Sequence, residues 1–205
     1  MALDSYHFIE KPASGPDAPL VFVFHGTGGD ERQLLGLADQ LLPGAAVIAP
    51  RGDVSEHGAA RFFRRKAEGI YDMDDLTDRT ARMAAFIAAH RERIAPGQVV
   101  GLGYSNGANI LASVAFRDPA LFDAIVLMHP LIPWTPAANP DLATLRVLIT
   151  AGRSDPICPA PLTDALSAYF SRQGSRVSEV WHDGGHEIRQ SELAAAAGFL
   201  APGPA

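Results

Sequence analysis

Residues 101–110 read GLGYSNGANI and follow directly on a short apolar run. The spacing from Gly103 through Ser105 to Gly107 fits the pattern G-x-S-x-G, in which a serine stands on a strained corner and its neighbours must be small. A tight turn without chemistry would also satisfy this pattern when it is taken alone. With an apolar run before it and a helical pattern after it, the stretch predicts a strand-turn-helix unit that exposes a serine hydroxyl.

The composition, 47% hydrophobic and 20% charged, predicts one globular domain over residues 1–205. The last five residues, 201–205 (APGPA), are predicted to form a flexible tail. A formal net charge of −6 disfavours nucleic acid and anionic membrane surfaces as partners. The single cysteine, Cys158, excludes an internal disulfide. The N-terminal stretch has no signal-peptide pattern and no apolar run approaches the length of a membrane span, so we expect a cytoplasmic protein without membrane insertion.

Short apolar runs alternate with helical patterns along the chain. Five near-continuous apolar runs suit strands covered on both faces: 20–25, 45–49, 98–102, 124–128 and 146–150. A last strand over 177–182 alternates Val177, Val180 and Trp181 with polar residues. The candidate helices are 31–42, 74–93, 106–117, 160–172 and 187–200. This alternation predicts an α/β fold: a mostly parallel twisted sheet of six to seven strands with helices on both faces and no large cap domain.

In such sheets ligands bind at the carboxyl ends of the strands. The loop HGTGGD at 25–30 follows the first of the long runs. It is not a phosphate loop, because no Gly-Lys-Ser/Thr follows and Glu31 stands where the dinucleotide pattern needs glycine. Its glycines instead leave backbone N–H groups free, as an oxyanion hole requires.

Two further polar residues follow later runs. Asp155 stands between Gly152 and Pro156, and His186 follows two glycines. Alone, each would be ordinary: a turn aspartate or a surface histidine. Together the chain order Ser105, Asp155, His186 is the order of nucleophile, orienting acid and base in one class of serine hydrolases. We therefore predict that these three side chains form a catalytic triad.

Other reactive side chains compete for a role. His182 and His186 with Asp183 suggest a metal site, but they cross a strand-to-loop boundary and no further cluster supplies ligands, so no metal is predicted. His129 is placed to line a pocket rather than to act as the base. Cys158 lacks the strained corner that surrounds the serine.

Six motifs together carry a family resemblance: HGTGGDE, RFFRR, DDLTDRTARM, GYSNGANI, AGRSDPICP and GGHE. The chain resembles the small bacterial carboxylesterases of the phospholipase/carboxylesterase family, which are α/β-hydrolases related to acyl-protein thioesterases. The resemblance covers about Pro19 to Leu200. It implies a small-molecule ester substrate and no cofactor, and by analogy it allows a homodimer.

The resemblance also implies individual roles. Ser105 matches the nucleophile, Asp155 the orienting acid and His186 the base. Thr27 matches the donor of one oxyanion N–H, and the amide of Asn106 at the helix start is placed to donate the other. The family's thioesterases carry His-Gly-Leu-Gly-Asp in the first loop, so the Thr-Gly-Gly found here departs from the members that act on acyl-proteins.

The substrate pocket is expected to be shallow, since only about 18 residues separate His129 from Val147 and leave no room for a helical lid. The residues expected to line it are Gly28, Arg64, Tyr104, His129 and Trp134. The segment RFFRRK at 61–66 has two interpretations. It is either a surface loop whose arginines pair with Asp72, Asp74 or Asp75, or a clamp in which Arg64 and Arg65 bind an acidic substrate.

The sequence thus predicts a serine carboxylesterase that hydrolyses small acyl esters through an acyl-enzyme intermediate. A lysophospholipase or an acyl-protein thioesterase would use the same residues and is the first alternative. A catalytically silent binding protein with the same fold is the remote one. An intact triad argues against it, because binding alone has no need for all three groups.

Overall fold

A seven-stranded sheet forms the centre of the computed structural model, which describes residues 2–201. Residues 202–205, within the predicted flexible tail, lie outside the described residues. The strands of this sheet are β1 Phe8–Lys11, β2 Leu20–Phe24, β3 Ala46–Pro50, β8 Val99–Tyr104, β9 Ala124–Met128, β10 Arg146–Gly152 and β11 Arg176–His182. Their spatial order is β1-β3-β2-β8-β9-β10-β11. Only β1 runs antiparallel to its neighbour, so the predicted mostly parallel sheet is confirmed.

In the described part of the chain, five α-helices cover the two faces of the sheet. They are α1 Leu35–Leu41, α2 Met73–Ile94, α3 Asn106–Arg117, α4 Ala160–Arg172 and α5 Gln190–Leu200. The helices α2, α3 and α4 pack on one face, and α1 and α5 on the other. Strand β2 shows why the pattern works: all five of its residues are buried, and alternate side chains enter opposite cores. Within residues 2–201, no helix combines the length and apolar character needed to cross a bilayer.

Several elements differ from the predicted ones. The helix expected over 31–42 begins only at Leu35, because polar side chains before it bond locally to the backbone: the Asp30 carboxylate accepts the N–H of Arg32, and Gln33 accepts the N–H of Gly26. The sequence patterns also missed two hairpins between β3 and α2. Their strands are β4 Val54–Glu56 with β5 Ala59–Arg61, and β6 Arg65–Ala67 with β7 Ile70–Tyr71. Three single 3₁₀ turns lie at Ala2–Asp4, Pro119–Leu121 and Pro140–Thr144.

The turn from β8 into α3 brings the helix into contact with the end of β2. A Cβ atom on Gly107 would lie 2.1 Å from the carbonyl oxygen of Phe24 and 2.5 Å from that of His25. A Cβ on Gly103 would lie 2.7 Å from the carbonyl oxygen of Gly107. Backbone atoms cannot move away as a flexible side chain can. The glycines of the G-x-S-x-G pattern are therefore required by this close approach.

We expect Gly107→Ala to lower the free energy of unfolding by about 1–3 kcal/mol, because the added methyl group overpacks a backbone contact. Gly198→Ala is the matched control, since Gly198 lies in α5 with no atom within 4 Å of the added Cβ. That control should keep or raise stability, by up to about 1 kcal/mol. Urea denaturation of both variants measures the difference, and equal stabilities would contradict a steric requirement at Gly107.

Candidate active site

Ser105 stands at the corner between β8 and α3 with an unusual backbone. Its φ is 53° and its ψ −118°, a region that costs a non-glycine residue about 1–3 kcal/mol. The corner is held by packing of α3 and by the N–H of Ser105, which donates to the carbonyl oxygen of Met128 on β9 at 2.8 Å. This backbone conformation directs the Ser105 side chain away from the sheet, where it can contact side chains that follow neighbouring strands.

The structure brings the three predicted triad side chains into one hydrogen-bonded chain. The Oγ of Ser105 lies 2.8 Å from Nε2 of His186, and Nδ1 of His186 lies 2.7 Å from Oδ2 of Asp155. These residues follow β8, β11 and β10, which are close neighbours in the sheet. Because their strands are parallel, the three loops meet at the same edge. A hydroxyl, an imidazole and a carboxylate in this order can deprotonate the hydroxyl.

Both oxygens of the Asp155 carboxylate accept hydrogen bonds. Its side chain is fully buried, and Oδ1 accepts the backbone N–H groups of Ile157 at 2.8 Å and Cys158 at 3.0 Å. Its Oδ2 accepts Nδ1 of His186 and also Nδ1 of His129, the latter at 3.0 Å. Burial by itself would raise the pKa of Asp155, but these hydrogen bonds outweigh it and lower the pKa below its usual value. The carboxylate is therefore ionised at neutral pH.

Tyr104 positions the main chain of His186. Its hydroxyl donates to the carbonyl oxygen of His186 at 2.7 Å, and the two rings lie 5.4 Å apart. Burial, followed by the nearby charge of Asp155, raises the pKa of Tyr104 to about 12. Tyr104 therefore acts here as a neutral donor that fixes the loop carrying the imidazole.

The two residues predicted for the oxyanion hole, Thr27 and Asn106, line the same cavity as Ser105. Asn106 begins α3, where the first N–H groups have no partner inside the helix. Its side-chain oxygen accepts the N–H of Phe62 at 2.8 Å, and the hydroxyl of Thr27 accepts Nη1 of Arg61 at 2.7 Å. Both side chains are thus tied to the segment that carries the two hairpins.

The cavity beside Ser105 has a volume of about 250 Å³. Of the five residues predicted to line it, the structure places only Tyr104 there. The other members of its wall include Arg61, Arg65, Tyr71, Asn109, Leu131 and Ile157.

Four of the predicted lining residues do not line this cavity, each for a physical reason. Arg64 turns away to Asp72 and Asp75, at 3.6 and 3.2 Å. Gly28 lies in a turn, and its N–H donates to the carbonyl oxygen of Ala60. The other two residues, His129 and Trp134, are separated from the cavity by groups that do line it. His129 is fully buried behind Tyr104 and His186, with ring centroids 6.0 and 5.1 Å away. Trp134 packs on the far side of Tyr71, with ring centroids 5.8 Å apart.

A buried polar network that the sequence reasoning missed builds one wall of the cavity. Nδ2 of Asn109 donates to the hydroxyl of Tyr71 at 2.9 Å, and that hydroxyl donates to the carbonyl oxygen of Leu131 at 2.7 Å. Oδ1 of Asn109 accepts the N–H of Leu131 at 2.7 Å. Asn109 stands one helical turn after Ser105, and this i, i+4 spacing is the signal that could have found it.

Two arginines from the hairpins reach the cavity. Arg61 is 3% exposed and lies 3.5 Å from Oε2 of Glu56, while Nε of Arg65 donates to Oε1 of Glu56 at 2.8 Å. Arg65 also pairs with Glu68, which lines the cavity as well. The surface-loop interpretation of the arginine segment therefore holds for Arg64, whereas Arg65 lines the same cavity as Ser105.

Within residues 2–201, two groups of side chains have the geometry to hold a metal ion: His129, Asp155 and His186, and His129, His182 and Glu192. The first is engaged in the chain to Ser105. In the second, Nδ1 of His182 accepts the N–H of Gly184 at 2.9 Å, so the proton of a neutral ring sits on Nε2, the atom that would have to bind the metal. The side chains of the second group are therefore arranged to share protons with one another and not to bind a metal ion.

Comparisons with known proteins agree with the hydrolase fold. The model of the dienelactone hydrolase family matches residues 3–192. MhqD of Bacillus subtilis (strain 168), which is named as a hydrolase, is 39% identical over 188 residues, covering 91% of this chain and 92% of that protein. The crystal structure of Atu2452 from Agrobacterium tumefaciens str. C58 is 56% identical, with a TM-score of 0.93 over 98% of each chain. The Bacillus cereus carboxylesterase is 34% identical, with a TM-score of 0.90 over 96% of this chain and 94% of its own.

We expect Ser105→Gly to raise the free energy of unfolding by about 1 kcal/mol, because glycine adopts the φ and ψ of this corner without strain. Ser113→Gly is the control: Ser113 lies inside α3, where glycine should lower stability by about 0.5–1 kcal/mol. Urea denaturation of both variants makes the comparison. A Ser105→Gly protein that is less stable than the starting protein would show that the corner is not strained.

Proposed function

The chain belongs to the dienelactone hydrolase family and is an α/β-hydrolase of the esterase type, and on this premise we propose that it is a serine carboxylesterase that hydrolyses small acyl esters. The observation that carries the proposal is the unbroken chain of contacts from Ser105 through His186 to Asp155, at 2.8 and 2.7 Å. A protein that only binds esters would have no need to aim a buried carboxylate and an imidazole at one hydroxyl.

In the first half of the reaction, Oγ of Ser105 attacks the carbonyl carbon of the ester while Nε2 of His186 takes its proton. The carbon–oxygen bond to the leaving alcohol then breaks, and the same proton passes from His186 to that alcohol. Asp155 keeps the imidazole in the orientation needed and stabilises its charged form. The acyl group is left bound to the serine as an ester.

In the second half, water replaces the alcohol. His186 takes a proton from the water as its oxygen attacks the acyl-enzyme, and returns that proton to Oγ of Ser105 when the acid leaves. The amides of Thr27 and Asn106 hold the negative oxygen in both halves. Losing one such donor typically raises the barrier by about 3 kcal/mol. Every step uses groups of this chain and water.

The shape of the site supports a small substrate. The cavity of about 250 Å³ falls below the usual range for drug-sized ligands. The segment 129–145 between β9 and β10 carries a single 3₁₀ turn, Pro140–Thr144, and thus forms no helical cap over the cavity. Lysophospholipase and acyl-protein thioesterase activities would use the same chemistry. A substrate panel with matched acyl chains and different leaving groups separates them from the activity proposed here.

We expect a fluorophosphonate probe to label the protein covalently at Ser105, since the hydrogen bond to His186 activates this hydroxyl. Ser105→Ala should abolish both the labelling and the hydrolysis of short-chain p-nitrophenyl esters. Ser113→Ala serves as the control, because Ser113 is buried and donates to the carbonyl oxygen of Asn109. Mass spectrometry identifies the labelled peptide. A folded protein that neither reacts with the probe nor turns over any activated ester would instead be a binding protein.

We propose a preference for acidic esters in which Arg65 exchanges its exposed partner Glu68 for the carboxylate of the substrate. Arg65→Ala should raise KM for a carboxylate-bearing ester about tenfold, in line with the loss of one hydrogen bond to a charged group. A neutral ester of the same size should change less than about twofold. Arg64→Ala is the matched control, because Arg64 pairs with Asp72 and Asp75 outside the cavity. Equal responses of the two esters to Arg65→Ala would refute the preference.

A further inference from the structure

Among the buried histidines that the proposed mechanism does not use, His129 contacts a member of the triad. His129 follows β9, has a φ of 51° and is fully buried. Its N–H donates to the carbonyl oxygen of Thr150 on β10 at 2.8 Å, and its carbonyl oxygen accepts Sγ of Cys158 at 3.2 Å. Its main chain is therefore fixed from both sides, and its ring has a defined direction.

Both nitrogens of this ring face carboxylates. Nδ1 donates to Oδ2 of Asp155 at 3.0 Å, and Nε2 lies 3.0 Å from Oε1 of Glu192, as an ion pair without good hydrogen-bond alignment. An ionised carboxylate can only accept. A neutral imidazole carries one proton, so it would point a lone pair at one of these two carboxylates. Only the doubly protonated ring matches both neighbours.

Glu192, the second carboxylate, is itself held as an acceptor. Its Oε2 accepts the N–H of Arg189 at 2.6 Å and lies 3.2 Å from Nε2 of His182. His182 accepts the N–H of Gly184 at Nδ1, so in its neutral form it presents a proton to Glu192. Burial would raise the pKa of Glu192, but its contacts, that with His129 foremost, outweigh burial and lower the pKa. Glu192 is therefore an anion that only accepts.

The charges of the cluster support the same assignment. Asp155 and Glu192 have fully buried side chains, and two buried carboxylates without a cation would be strongly destabilising. One imidazolium between them leaves a net charge of −1. When His186 takes the proton of the serine during turnover, the cluster becomes neutral. The positive charge of His129 thus makes protonation of His186 less favourable, which keeps the base free in the resting protein.

We propose that His129 is an imidazolium held between Asp155 and Glu192, and that this buried cation moderates the pull of Asp155 on the proton of His186. It is a positioning residue, since it acts through Asp155 and does not reach the cavity. The second half of the proposal rests on the proposed function, whereas the first half concerns the protonation state of one ring and does not. The rings of His129 and His186 lie 5.1 Å apart.

Other ionisable groups around His129 do not change this assignment. The groups that face it are Asp155 and Cys158 after β10, Tyr104 at the end of β8, His182 and His186 at and after β11, and Glu192 on α5. Burial raises the pKa of Cys158, and burial with Asp155 raises that of Tyr104 to about 12, so both are neutral near pH 7. Burial would lower the pKa of His129, but its two carboxylate partners outweigh it and raise the pKa.

The first test uses the unaltered protein labelled with ¹⁵N. Long-range ¹⁵N–¹H correlation spectra distinguish an imidazolium, whose two ring nitrogens have similar shifts, from a neutral ring, whose nitrogens differ strongly. The signals of His129 are assigned by their absence from His129→Gln, or by sequential assignment if that variant does not fold. We expect the imidazolium pattern throughout pH 6–8. A neutral pattern at pH 7 overturns the proposal, whatever the enzymatic activity.

The second test measures the dependence of kcat/KM on pH. His129→Gln keeps an N–H donor beside Asp155 but removes the positive charge, so the full charge of Asp155 then favours the protonated, inactive form of His186. The midpoint of the acidic limb should rise by about one pH unit. His182→Gln is the matched control, since it removes no charge from the same cluster, and its midpoint should stay within about 0.2 unit. An unchanged midpoint in folded His129→Gln refutes the moderating role.

The two tests separate this inference from the proposed function. If Ser105 does not react with the fluorophosphonate, the proposed function fails while the spectra still decide the state of His129. If the protein is an active esterase but the His129 ring is neutral, only the present inference fails. Should His129→Gln not fold, the spectra of the unaltered protein decide alone.

Discussion

The buried carboxylate of Asp155 is the constraint on which the site depends. A carboxylate withdrawn from water is strongly destabilising unless its oxygens are satisfied, and here four donors meet it: two backbone N–H groups of its own loop and one nitrogen from each of two imidazoles. The backbone donors fix the loop after β10. The imidazoles tie that loop to the ends of β9 and β11, and one of them continues to Ser105.

The parallel sheet makes this meeting possible. Strands β8, β9, β10 and β11 are consecutive neighbours with the same direction, so the polar residues that follow them gather at one edge. The strained corner at Ser105 survives because α3 is packed against the end of β2, an approach that only glycine at position 107 permits. Packing energy from the core thus maintains a local backbone that is unfavourable by itself, as is common at functional sites.

Behind the triad, the same physical rules assemble a second layer. His129 and Glu192 extend the polar cluster inward from Asp155. His182, at the end of β11, completes the cluster by contacting Glu192 in the first turn of α5. Their side chains are at most 6% exposed, so their charges interact with little screening from water. Hairpins β4–β5 and β6–β7 act on the opposite side, where they carry Arg61 and Arg65 to the cavity wall. The chemistry of the cavity and the charge behind it are therefore supplied by different parts of the chain.

The sequence by itself determined the helices α2, α3 and α4, six strands of the sheet and the three residues that meet at its edge, because apolar periodicity and glycine corners are local properties. The sequence did not indicate strand β1, because Phe8–Lys11 is short and only partly buried. Only the tertiary structure decided which side chains line the cavity. Spacing along the chain does not give the direction of a side chain, so Arg64 and Arg65, adjacent in sequence, have different surroundings. It also decided that His129 lies behind Asp155, because its two carboxylate partners come from loops and helices distant in sequence.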